Sequence, residues 1–162
     1  MTSLTPERSG IGVFYGVVDR WVGPDRLYKV FVTPDAVHAA RVGGGWGVFL
    51  GRLAVLGELA PIFPLKVVAK PALEARYQDL DPRAIRFLAL DRRNFRLNAA
   101  QVTRVHLAAL WVFGSRRRRA TVTFHRRDHG RRVRFHVIPS DLAAIHATLD
   151  RTAFRVEVDA VI

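Results

Sequence analysis

The stretch ATVTFHRRDHGRRVRFHVI, residues 120–138, decides the fold. Two runs that alternate apolar and polar residues flank a turn-forming centre, Arg127-Asp128-His129-Gly130. That is the pattern of a β-hairpin with one buried face. Turning the chain there sets Phe124 opposite Val133, Val122 opposite Phe135 and Ala120 opposite Val137. On the other face His125 meets Arg132, Thr123 meets Arg134 and Thr121 meets His136. A one-residue slip would turn the apolar set toward water, so the register is strongly specified. One face is expected to be core, and the other to carry Thr, Arg and His to solvent.

The flanking segments extend the pattern. Downstream, Pro139-Ser140-Asp141 offers Ser140 as a helix N-cap, and Leu142, Ile145 and Leu149 form the apolar stripe of a short helix. Phe154, Val156 and Val158 then alternate with Arg155, Glu157 and Asp159, which reads as a further strand. Upstream, Asp91-Arg92-Arg93-Asn94 reads as a turn before short strands at 94–97 and 101–107. Near the start, LYKVFV (27–32) is rich in β-formers, Thr33-Pro34-Asp35 supplies a turn, and Ala36 to Val42 returns as the partner strand. Residues 13–22 are read as an earlier strand.

Between these strands lies a different texture. From Gly43, GGGWG leads into a run in which Trp46, Phe49, Leu50, Leu53, Leu56 and Ala60 recur at helical spacing. Arg52 and Glu58 interrupt the run, and Pro61 and Pro64 stop it. A membrane span needs roughly 20 mainly apolar residues, so an ordinary buried helix or loop is the expectation. Pro71 suits a helix start, with Leu73, Tyr77 and Leu80 on one face, and Asp81-Pro82 introduces a second short helix through Leu90.

The 162 residues suit one domain, and 49% hydrophobic content supports a buried core. Residues 1–10 are expected to be disordered, and the start lacks the apolar core of a secretory signal. The absence of cysteine excludes disulfide scaffolds, thiol nucleophiles and thiolate zinc sites, and agrees with a cytoplasmic address. Lys+Arg is 26 against 14 Asp+Glu, a net charge of +12, and +11 of it lies from Pro82 onward. Glycine runs the other way, with ten of 12 at or before Gly57.

The strand pair LYKVFVTPDAVHAARVGG, the strand RNFRLNAAQVTRVHL, the hairpin and the closing helix together resemble the bacterial pleckstrin-homology-like (PH/GRAM-like) domains. The resemblance covers the last seventy or so residues well and 27–45 loosely. Two features depart from it: the region 46–90 and the strand after the helix. The expected fold is α+β, a small curved antiparallel sheet or partly open barrel with a C-terminal helix and a helical insertion around residues 46–90. The resemblance implies a non-catalytic binding module for anionic headgroups or protein segments, and it carries no fixed site residues.

The strongest functional signal is arginine. Arg116, Arg117, Arg118 and Arg119 precede the hairpin, and Arg126, Arg127, Arg131, Arg132 and Arg134 lie on it. Guanidinium binds phosphate bidentately, so an anionic partner is expected, either a membrane surface met peripherally or an acidic protein segment. The anion-binding candidates are Arg116, Arg117, Arg118, Arg119, Arg126, Arg127, Arg132 and Arg134. The bland alternative is a solvated basic face in an arginine-heavy sequence, where Arg outnumbers Lys 23 to 3. A nucleic-acid binder would use the same arginines with Trp111 and Phe113 for stacking. A purely structural or oligomerising domain would use an exposed apolar surface at 46–65. His125, His129 and His136 lie near one hairpin, but the surrounding arginines would repel a divalent ion, so no metal or cofactor is expected. No nucleophile elbow, phosphate loop or HExxH arrangement occurs, and no enzyme is expected.

Overall fold

In the computed structural model, which describes residues 12–18, 25–45, 68–111, 118–128 and 131–159, the hairpin takes the register that its alternation demands. Strand β7 (Arg118–Arg126) pairs antiparallel with β8 (Arg132–Val137), and Phe124 faces Val133, Val122 faces Phe135 and Ala120 faces Val137. The remaining strands are β1 (Gly12–Val18), β2 (Asp25–Val32), β3 (Ala36–Gly45), β4 (Val68–Ala69), β5 (Phe95–Asn98), β6 (Val102–Trp111) and β9 (Val156–Val158). The helices are α1 (Pro71–Glu74), α2 (Ile85–Ala89) and α3 (Leu142–Leu149). Neighbours run β4-β3-β2-β1-β8-β7-β6-β9, and β5 pairs with the same strand, β3, as β4 does. The sheet curls without closing, and its dominant pairing is antiparallel.

Two apolar layers explain the strand composition. Inside the curl, Phe14, Tyr28, Val30, Leu97, Val105, Leu107, Val122, Phe124 and Phe135 pack together. Helix α3 covers them with Leu142, Ile145 and Leu149, as their spacing requires. Phe135 is the hub, with the rings of Phe14, Tyr28, Phe95 and Phe124 all centred within 6.2 Å. Its ring lies against the backbone of β1 because residue 16 is glycine; a Cβ there would stand 2.8 Å from that of Phe135. On the opposite face of β2 and β3, Phe31, Ala40 and Val42 pack under Tyr77 and Phe87. Both faces of these strands are therefore covered, which is why LYKVFV is nearly continuous in hydrophobicity instead of alternating.

The 68–94 excursion is built to supply that second layer. It opens with β4, pairing Ala69 and Val68 with Gly43 and Gly44, and continues through α1, begun by Pro71, and a 3-10 turn that buries Tyr77. Asn94 secures its end. Its Oδ1 accepts the N–H of Arg41 at 2.9 Å, and its Nδ2 donates to Phe87 O at 2.8 Å and Tyr77 Oη at 3.0 Å.

Several expectations need adjustment. The described part of the 46–90 insertion contains a short strand as well as two one-turn helices, because its first residues complete the edge of β3. The apolar run at 46–65 and residues 1–10 lie outside the described residues. Ser140 does not cap α3; a 3-10 turn (Pro139–Asp141) leads into the helix, and Ser140 Oγ donates to Asp141 Oδ1 at 3.2 Å. Thr121 and Thr123, expected on a solvent face, are buried. They are short side chains in the middle strand, Thr123 lying between His106 and Arg134, and Thr121 between Ala108 and His136. The C-terminal strand begins at Val156 and runs parallel to β6, while Phe154 precedes it and is buried in the core.

Candidate functional site: an arginine-lined cleft

Beside the single paired position that joins β1 to β8, Val17 with His136, the walls of β2, β5 and β8 leave a cleft of about 780 Å³. Its lining includes Tyr28, Phe95, Leu97 and Val133 from the layer that continues into the core. Seven arginines also line it: Arg26 of β2, Arg92 and Arg93 of the turn before β5, Arg96 of β5, Arg126 of β7, and Arg132 and Arg134 of β8. Three regions remote in sequence, β2, the segment 92–97 and the β7–β8 hairpin, thus converge on one opening.

Local structure places each group. Arg93 N–H donates to Asp91 Oδ1 at 2.8 Å, and Asn94 N–H to Asp91 O at 2.9 Å, so the Asp91 turn presents Arg92 and Arg93 just before β5. Tyr28 Oη donates to Arg93 O at 3.3 Å and ties that turn to β2. Burial raises the Tyr28 phenol above its ordinary value, so it stays protonated. Arg126 is held by Asp128, with Nε to Oδ1 at 2.7 Å and the terminal nitrogen to Oδ2 at 2.5 Å. Those bonds keep the Asp128 carboxyl below the usual carboxylate range. Arg96 stands 3.5 Å from Asp35. Among the described residues, Arg92, Arg93, Arg132 and Arg134 have no carboxylate within ion-pair distance.

No protein-family model matches the chain, and no curated protein and no solved structure is significantly similar to it. The cleft must therefore be interpreted from its own chemistry.

The arginines singled out in the sequence separate into two places. Arg126, Arg132 and Arg134 meet at the cleft. Arg127 is exposed on the hairpin turn, its N–H donating to Gln101 O at 2.9 Å, and does not line the opening. Arg118 and Arg119 occupy the far end of β7, in register with Trp111 and Leu110. At about 3.3 Å per residue that end is roughly 25 Å from Arg126. Arg116, Arg117 and Phe113 lie outside the described residues. Sequence reading missed Arg26, Arg92, Arg93 and Arg96; the one local signal was the Asp91-Arg92-Arg93-Asn94 turn, which places two cations immediately before a strand.

On the outer face of the same strands, Arg132 and Arg134 also border a smaller depression of about 520 Å³ with Arg104, His106 and His125. Here acids from the β9 edge balance part of the charge. Arg104 stands 3.1 Å from Glu157, and His106 Nε2 stands 2.8 Å from Asp159 Oδ1. Burial, with Arg104 nearby, lowers the His125 imidazole pKa. No group of three or more His, Asp or Glu side chains among the described residues is arranged to hold a metal ion. No helix among them is long and apolar enough to cross a membrane.

Proposed function

We propose that the protein is a non-enzymatic, PH-like binding module that captures a phosphate-bearing anionic surface, most simply a membrane, through the arginine cleft. The observation that carries this reading is the convergence of seven arginines on one opening with few balancing carboxylates. Like charges gathered this way repel one another, and an anion that fills the opening offsets the repulsion. Phosphate oxygens suit planar guanidinium groups better than carboxamides or hydroxyls do. The PH-like part of the reading is supported by the antiparallel strands β1, β2, β3 and β5, the three-stranded unit β6–β7–β8, and α3 seated on the core between them.

The test is co-sedimentation with vesicles of phosphatidylcholine alone and with phosphatidylglycerol added, with single-stranded and duplex DNA as competitors. Each basic residue near an anionic membrane is worth roughly 1 kcal/mol, so Arg132→Ser with Arg134→Ser should weaken anionic-vesicle binding by roughly thirtyfold. Both side chains are exposed, so the melting temperature should hold. Arg127→Ser, outside the cleft, should change binding less than either. A wild-type protein that ignores anionic vesicles at low salt while binding DNA would replace this reading with a nucleic-acid one.

A further inference from the structure

Helix α2 presents its apolar stripe to the outside. Ile85, Leu88 and Ala89, at i, i+3 and i+4, fall on one face of the helix, while Phe87 falls on the other. Phe87 is fully buried against Phe31, His38 and Tyr77, yet Ile85 is 92% exposed and Leu88 41%. A helix mounted on a soluble core ordinarily turns its aliphatic stripe inward. Here a single aromatic anchors it, and Asn94 Nδ2 fixes its backbone through Phe87 O at 2.8 Å. The outward residues are therefore held in place on a rigid mount.

The exposed charges around this stripe are predominantly positive, three arginines against the single exposed carboxylate of Asp81 beside the helix. Arg83 and Arg86 flank it and are exposed, and Arg92 is exposed just beyond its end. Asp81 and Asp91, the carboxylates that bracket the helix, are engaged with neighbours: Asp81 Oδ1 accepts the N–H of Arg83 at 2.8 Å, Asp91 Oδ1 accepts that of Arg93, and Asp91 Oδ2 faces Arg41 at 3.4 Å. Among the described residues, Arg83, Arg86 and Arg92 have no ion-pair partner. Aliphatic side chains ringed by unpaired guanidinium groups match the interface of an anionic bilayer, where apolar tips enter the acyl boundary and cations rest at the phosphates.

We propose that α2 is a membrane-inserting wedge, with Ile85 and Leu88 entering an anionic bilayer while Arg83 and Arg86 lie among its headgroup phosphates. This rests on the anionic-surface reading of the cleft and adds the second, apolar signal that stable membrane attachment requires. The two features are joined by one short segment, because the Asp91 turn that follows α2 carries Arg92 and Arg93 to the cleft.

The chain has no cysteine, so Ile85→Cys offers a single attachment point for an environment-sensitive fluorophore on the full-length protein. With phosphatidylglycerol-containing vesicles the label should brighten, shift to the blue and be quenched by lipids spin-labelled near the headgroup. Ile85→Ser with Leu88→Ser should keep the wild-type melting temperature and lose roughly tenfold or more of the binding that survives raised salt. An unchanged label on protein that sediments with the vesicles would overturn the wedge and leave the cleft reading standing. Failure of the unmodified protein to sediment even at low salt would overturn both. A label that responds to protein concentration without vesicles would overturn the wedge in favour of a second copy of the chain covering α2.

Discussion

Replacing Phe135 by alanine tests the core assignment most directly. The side chain is fully buried and its ring meets Phe14, Tyr28 and Phe124 edge-on, with Phe95 stacked at an interplanar angle of 17°. Truncation removes all four contacts. The cavity lies between the β1 backbone at Gly16 and the floor of the cleft, where neither wall can collapse without breaking sheet pairing. Phe→Ala changes in such sites cost about 3–5 kcal/mol, and the upper half of that range is expected when several aromatic pairs are lost together. For a domain of this size each kcal/mol lowers the melting temperature by roughly 2–4 °C, so Phe135→Ala should melt roughly 8–20 °C below wild type. Arg134→Thr, one residue away on the opposite face, should stay within about 0.5 kcal/mol. Thermal melts followed by circular dichroism, with urea titrations for the free energies, compare the two. If Phe135→Ala melts within about 2 °C of wild type, or Arg134→Thr is the more damaging change, the faces of the hairpin are inverted and the argument for the cleft fails with them.

Two other outcomes follow from single residues. Asn94→Ala should cost about 2–3 kcal/mol in urea unfolding and raise amide exchange across 85–94, because it strands the Arg41 N–H and the Phe87 carbonyl; exchange unchanged in that segment would contradict its anchoring role. His38 is buried beside Phe87, its Nε2 has no hydrogen-bond partner among the described residues, and burial, with Arg96 nearby, lowers its pKa to about 4. A folded-state value below the unfolded one means that the unfolded chain takes up the proton first. Stability is then fully present above about pH 6.5 and declines as the pH falls toward about 4, by at most roughly 3 kcal/mol. Urea titrations of wild type and His38→Leu across that window should show a steeper loss in the wild type, and parallel curves would contradict it.

The amino-acid sequence by itself determined what depends on neighbours along the chain or on a single strand pair. The 120–138 alternation specified its register because a slip would expose Phe124 and Phe135 to water. Leu142, Ile145 and Leu149 announced the buried face of α3 by spacing alone, and Thr33-Pro34-Asp35 announced the turn between β2 and β3. Other features needed the third dimension. Thr123 is buried because β6 and β8 place His106 and Arg134 on either side of it, and its own polarity says nothing of them. The second apolar layer exists because Phe87 reaches back to Phe31 across more than fifty residues. The cleft is the clearest case. Arg26, Arg93 and Arg96 are unremarkable members of an arginine-rich chain until the curl of the sheet brings β2, β5 and β8 together, whereas the most conspicuous run, Arg116 to Arg119, leads into the far end of β7. Periodicity reports which side of a strand meets the core, but charge density at a site is a sum over segments that meet only when the sheet has curled, and no local pattern encodes that sum.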